Sequence, residues 1–196
     1  MDADPVSSTA RRVSAFSGSR LLASGPLVSV ALAVKSETEQ GPDRAVLVFD
    51  DATGAVVDLD LRGSAQDVLA RLDDARPADA AAPEAPRRRG RPSLGVVPRE
   101  VTLLPRHWDW LSAQPGGASQ ALRRLVDKAR TEDGGRTARR TAREAAYRFM
   151  SAMAGDLPRF EEASRALFAG DEAGFRDATS AWPADIRDHV LRIERG

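Results

Sequence analysis

The sequence predicts a mixed α+β protein in four parts: a small N-terminal two-hairpin α+β domain, a linker, a strand–helix–helix module and a run of C-terminal helices. Three observations carry this. Short apolar runs broken by glycine turns occupy the first third of the chain. A stretch rich in Pro, Ala and Arg follows residue 74. From Pro105 onward, apolar residues recur at helical spacing. The expected bounds are a tail at 1–11, the α+β domain at 12–74, the linker at 75–97, the module at 98–131 and the helical region at 136–196.

Val13–Phe16 and Leu21–Ala23 flank Ser17-Gly18-Ser19, the pattern of a tight hairpin. Gly25-Pro26 is read as a break, with Leu27, Val30, Ala31 and Val34 at helical spacing behind it; a Val-rich strand is the competing reading. Ala45–Phe49 and Val56–Leu61 bracket a Thr-Gly turn at Gly54, where positive φ is needed. Val57, Leu59 and Leu61 alternate with Asp58 and Asp60, so the second run has one apolar and one wet face. Gly63-Ser64 caps a helix carrying Val68, Leu69 and Leu72. Such a domain of about 65 residues lies near the lower limit for a stable core.

In the C-terminal region, Ala142, Ala145, Ala146, Phe149, Met150 and Met153 mark one amphipathic helix. Asp156 is read as the N-cap of the next, which carries Phe160, Ala163, Leu167 and Phe168; Gly170-Asp171 stops and caps again. Phe175, Trp182, Ile186, Val190 and Ile193 complete about four helices.

The formal net charge is zero, but it is unevenly placed. Between Ala45 and Asp79 there are eight Asp and three Arg; between Arg87 and Arg106 there are six Arg and one Glu. A neutral total therefore conceals a basic segment suited to phosphates. The chain has no Cys, which excludes disulfides and thiolate metal sites. No apolar run approaches the length of a membrane span and the N-terminus lacks a signal-peptide core, so no membrane association and a cytoplasmic location are expected.

The module holds the strongest functional signal. Val101 and Leu103 would point to one side of a short strand, Glu100 and Thr102 to the other. A lone strand leaves its backbone groups without partners; pairing with its twin from a second chain satisfies them and makes a ribbon that fits a major groove. Pro105 starts a first helix with Trp108 and Leu111 on one face, and Pro115-Gly116-Gly117 ends it. Ser119 is read as the N-cap of a second helix whose Leu122, Leu125, Val126 and Ala129 follow helical spacing. Two helices this short need a partner, so Val101, Leu103, Trp108, Leu111, Leu122, Leu125 and Val126 are the expected homodimer core.

This order of elements resembles the ribbon-helix-helix family of bacterial repressors and antitoxins over residues 98–131. The resemblance implies that the outward strand residues Glu100 and Thr102 face bases, and that the turn from Gly117 to Ser119 meets phosphate. Arg99 and Arg106 flank the ribbon. Glu at position 100 departs from the basic or amide residues usual there; it accepts from a cytosine amino group but repels phosphate. Two other readings stay open: a dimerisation unit that touches no DNA, and a helix-turn-helix with Arg123 and Arg124 on its recognition helix.

Upstream, Arg87, Arg88, Arg89, Gly90, Arg91 and Pro92 resemble an AT-hook, whose core is Arg-Gly-Arg-Pro. Gly90 would let the backbone sit deep in a narrow minor groove while Arg89 and Arg91 extend along it. The strings VFDDATGAVVDLDLRG, VTLLPRHWDWLSAQPGGASQALRRLVDKAR and AMAGDLPRF also make the chain similar to a bacterial family of unknown function. That likeness implies no activity.

The expected function is therefore a homodimeric protein that binds duplex DNA, a transcriptional regulator or nucleoid-associated protein without cofactor, metal or catalytic site. The alternative is an antitoxin-like or scaffold protein whose C-terminal helices clasp a protein partner. A third reading, a metal-dependent hydrolase, would use Asp50, Asp51, Asp58 and Asp60 as carboxylate ligands. His107 and His189 are the only histidines, with no metal-ligand spacing between or around them.

Overall fold

The computed structural model describes residues 11–41, 45–74 and 99–195. In chain order its elements are β1 (Arg12–Ser17), β2 (Arg20–Pro26), α1 (Leu27–Gln40), β3 (Val46–Asp50), α2 (Ala65–Asp74), α3 (Pro105–Ser112), α4 (Gly117–Asp133), α5 (Arg136–Met153), α6 (Phe160–Ala169), α7 (Glu172–Ala178) and α8 (Ala184–Arg195). The chain forms two units, one of residues 1–76 with 137–196 and one of residues 77–136.

The first unit is built on a three-stranded antiparallel sheet of order β2-β1-β3. β1 and β2 form the hairpin predicted around Gly18, whose φ of 59° is the left-handed value its turn demands. β2 continues through Gly25 to Pro26, and Leu27 starts α1 directly. Pro26 sits on an edge strand, where no ladder hydrogen bond is lost. The pairing shifts between Ala15 and Phe16, leaving one extra residue on β2.

The predicted second hairpin is only half formed. β3 is a strand, but residues 56–61 are not; Val56 makes a single bridge to Phe49, and the Val57 N–H donates to the Val48 carbonyl at 2.7 Å. Alternation survives without the ladder. Val57, Leu59 and Leu61 pack inward, and Asp58 and Asp60 stay exposed. In α2 the Ser64 Oγ accepts from the Asp67 N–H at 3.2 Å, while Asp67 Oδ2 accepts from the Ser64 N–H at 2.7 Å. That reciprocal pair is a capping box with Asp in place of Glu.

β1 is central, and residues 13 to 16 are all buried. Its side chains therefore feed two cores. Val13 and Ala15 join Val30 and Val34 of α1 and Val48 of β3. Phe16 and Phe49 join Phe149, Met150, Phe175, Trp182 and Val190 from the C-terminal helices. The Phe16, Phe49 and Phe149 rings lie 4.9 to 6.2 Å apart in edge or tilted contact, geometries that add to their area burial. The division into a free-standing domain at 12–74 and a separate region at 136–196 is thus replaced by one shared core. The physical reason is the sheet's second face: α1 covers one side, and the aromatic side needs α5 to α8.

Further ties join the sequence ends. The Leu21 N–H on the edge strand donates to Asp185 Oδ2 of α8 at 2.7 Å. The turn after β3 docks on α5, where the Arg148 guanidinium donates to the Thr53 carbonyl at 3.0 Å. Asp50 organises this turn: Oδ1 accepts from the N–H groups of Ala52 and Thr53, both at 3.0 Å, and Oδ2 from Arg11 at 2.6 Å. Burial pushes the Asp50 carboxyl up, but Arg11 and the turn amides outweigh it and hold it below the usual carboxylate range.

The four C-terminal helices follow the predicted apolar stripes except at Phe168, which is exposed. Asp171 caps α7 as expected, accepting from the Gly174 N–H at 2.9 Å. Asp156 does not cap α6, which starts at Phe160 after Arg159 in a left-handed conformation, φ 62°.

Candidate nucleic-acid interface and a buried polar cluster

In the second unit, α3 begins with Leu104 as N-cap and Pro105 in its first turn, as the sequence indicates. Gly116 (φ 85°) and Gly117 (φ 72°) then turn the chain into α4. The N-cap of α4 is Gly116, and Ser119 stands inside the first turn with no side-chain cap. A Cβ on Gly116 would collide with the Gln120 side chain, so the glycine pair takes over the boundary expected at Ser119. Gly117 and Ser119 still lie at the N-terminal turn of α4, where backbone N–H groups favour an anion.

Residues 101–104 carry no strand within a single chain. Arg99, Glu100, Val101, Thr102 and Arg106 are exposed, and Leu103 is half-buried. Of the expected dimer core, Leu111 is buried together with Ala121 of α4 in the contact between the two helices, and Leu122 is half-buried. Val101, Trp108, Leu125 and Val126, with Leu104, remain 38% to 55% exposed. Between Arg99 and Arg130 the module has six Arg or Lys against three Asp or Glu. The arm from Arg87 to Pro92, with Arg88, Arg89, Gly90 and Arg91, lies outside the described residues.

The four aspartates of the predicted second hairpin do not converge. Asp50 is held by Arg11 and its turn. Asp60 pairs with Arg62 at 2.7 Å and Arg71 at 2.8 Å, and these contacts depress its carboxyl far below the usual range. Among the described residues no three His, Asp or Glu groups gather as a metal site.

Asp51 does meet a neighbour that sequence spacing could not reveal, because it comes from the other end of the chain. His189 of α8 is buried against the Phe16 and Phe149 rings, with centroids at 5.1 and 4.4 Å. Arg192 Nη2 donates to His189 Nδ1 at 2.5 Å, and lies 3.4 Å from Ser14 Oγ. Since Arg only donates, Nδ1 accepts, and the neutral ring carries its proton on Nε2. That Nε2 faces Asp51 Oδ1 at 3.9 Å, and both atoms are buried without a hydrogen-bond partner among the described residues.

Burial, and then the Arg192 charge, lower the His189 pKa to about 4. An unfolded chain binds this proton near pH 6.5. Between these values the unfolded state holds more protons, so the contribution of His189 is complete above about 6.5 and is lost as pH falls toward 4. The expected loss is roughly 3 kcal/mol across that window. Urea unfolding of wild type and His189→Gln at successive pH values measures it. Parallel pH profiles of the two proteins would refute the assignment.

The described residues contain no helix long and apolar enough to cross a membrane. No curated protein and no solved structure matches the chain. Residues 12–194 match the family described as "Uncharacterized protein conserved in bacteria (DUF2239)", a span that takes in the sheet, the two-helix module and the C-terminal helices, and the chain belongs to that family.

Proposed function

We propose that this protein is a homodimer that binds duplex DNA through the arm at Arg87 to Pro92 and the module at 98–131, as a transcriptional regulator or nucleoid-associated protein. The carrying observation is the uncovered apolar set on the two-helix module: Val101, Leu104, Trp108, Leu125 and Val126. Leu111 and Ala121 are its only buried apolar residues among those described. The module therefore has little core of its own, and exposed apolar surface of this kind marks an association site. A second copy would cover it, and would let the segment from Arg99 to Leu103 pair with its twin as a ribbon. Arg99, Arg106, Arg123 and Arg124 would then supply phosphate contacts around that ribbon. The Arg-Gly-Arg-Pro arm would add minor-groove affinity.

Two measurements on the full chain test this. Sedimentation should give a dimer, and Val126→Asp should give a monomer, because a charge would be buried at the contact. Fluorescence anisotropy with AT-rich and GC-rich duplexes should show salt-sensitive binding that favours AT-rich DNA. Arg89→Ala with Arg91→Ala should weaken it and flatten the log–log salt slope by roughly 0.9 for each phosphate that the variant leaves unneutralised. A monomeric wild type, or no binding at low salt, would reject the proposal.

One observation favours the second reading, a protein partner for the C-terminal helices. Tyr147 and Phe168 are exposed large aromatics 5.3 Å apart, with Phe160 6.4 Å from Tyr147. A pull-down lost in Phe168→Ser but kept in Val126→Asp would support that reading.

A further inference from the structure

The polar cluster around His189 opens onto a cavity of about 460 Å³, within the ordinary size of small-ligand sites. Arg12 of β1, Asp51 after β3, Thr141 and Ala142 of α5, and Arg192 and Ile193 of α8 line it. Three of these side chains are charged. Among the described residues none has an opposite charge within ion-pair distance, since the neighbour of Asp51 is the neutral His189. Other charged groups on the sheet side of this unit are paired, among them Arg11 with Asp50, Arg20 with Glu37, and Asp60 with Arg62 and Arg71. A further feature is the orphaned pair formed by Oδ1 of that same Asp51 and by His189 Nε2. Unpaired polar groups of this kind are costly to keep in a folded chain, and groups without a structural partner point to one supplied from outside.

We infer that this cavity binds a small zwitterion of the α-amino acid class with an apolar side chain. Arg12 and Arg192 receive the carboxylate, Asp51 receives the ammonium group, and Ala142 and Ile193 meet the side chain. A purely anionic ligand would face the Asp51 carboxylate, and a purely cationic one would face two guanidinium groups. Only a molecule with both signs satisfies all three. The Arg192 to His189 hydrogen bond serves this arrangement by fixing the guanidinium on the α8 side of the cavity and turning the His189 proton toward Asp51. Nothing in this site depends on the DNA-binding reading, and its test shares no readout with that one.

The experiment is isothermal titration calorimetry of the full chain with leucine, valine and phenylalanine. Two truncated probes, 4-methylpentanoate and 3-methylbutylamine, each lack one charge of leucine. At least one amino acid should bind, and leucine should bind at least about tenfold more tightly than either truncated probe. Asp51→Asn should weaken leucine by about tenfold or more and leave 4-methylpentanoate unweakened. Arg12→Gln, a change at an exposed side chain, keeps the test decisive if Asp51→Asn does not fold; it should weaken leucine and 4-methylpentanoate alike. No binding of any of the three amino acids at ~10 mM would overturn the inference. So would equal affinity for leucine and 4-methylpentanoate, or leucine binding that neither variant alters.

Discussion

Gly54→Ala is expected to destabilise the first unit by about 2 to 5 kcal/mol, a large part of the stability of an ordinary domain. Two costs add. Gly54 has a φ of 66°, a region that costs an L-residue roughly 1 to 2 kcal/mol. A Cβ there would also stand 1.9 Å from the Ala145 carbonyl oxygen of α5. Backbone cannot swing away as a side chain can, so the turn after β3 must lift from the helix. Lifting it disturbs the Arg148 to Thr53 hydrogen bond and the Phe49 to Phe149 contact. Overpacking of this kind adds roughly 1 to 3 kcal/mol. Gly18→Ala is the control: its φ is 59°, but nothing lies within 4 Å of the added Cβ. Urea unfolding should show a loss of only about 1 to 2 kcal/mol for Gly18→Ala. Equal losses at the two positions would mean that close approach to α5 is not what Gly54 provides.

Gly54 also shows where sequence reasoning stops. Its turn is legible from Thr53-Gly54, because turn chemistry is written in adjacent residues. The same holds for Gly18, for the Ser64 cap, for Asp171, and for the in-and-out alternation of Val57 to Leu61. What Gly54 touches is not legible, since α5 is distant along the chain. Phe16 and Phe49 read as apolar residues of a small domain; no local pattern says that Phe149 and Val190 complete their core. The ladder for residues 56–61 fails for a related reason. Period two sets which side chains face inward, but it does not set the backbone pairing, which ends after the Val56 bridge and the Val57 to Val48 hydrogen bond.

The two candidate sites differ in the same way. The module is visible because its glycine turn and apolar stripe are local, and its N-cap falls three residues before Ser119 because Gly116 takes that role. The His189 cluster is invisible. It joins Ser14 and Asp51 to the α8 pair His189 and Arg192 through tertiary packing. One signal exists: His189 lies one residue before Val190, on the apolar stripe of its helix, where a polar side chain requires partners.

Phe149→Ala should remove about 3 to 5 kcal/mol of stability, the usual range for truncating a fully buried aromatic. The effect should reach both ends of the chain. Phe149 is buried between the rings of Phe16 and Phe49 on the sheet and His189 on α8. If sheet and helices share one core, they open together, and the loss appears equally in amides of either part. Native-state hydrogen exchange reads this directly. Amides of β1 at Val13 to Phe16 and of α8 at Val190 to Ile193 should lose protection by the same free energy. A free-standing α+β domain at 12–74 predicts otherwise: α8 would lose protection while β1 kept it. The comparison thus separates one cooperative core from two domains joined by sequence alone. It also bears on the amino acid site, because Arg12 and Asp51 come from the sheet side and Arg192 from α8. A site whose charges are drawn from both parts exists only while that core is intact, so Phe149→Ala should abolish leucine binding under conditions where the variant is unfolded and restore it where folding is regained.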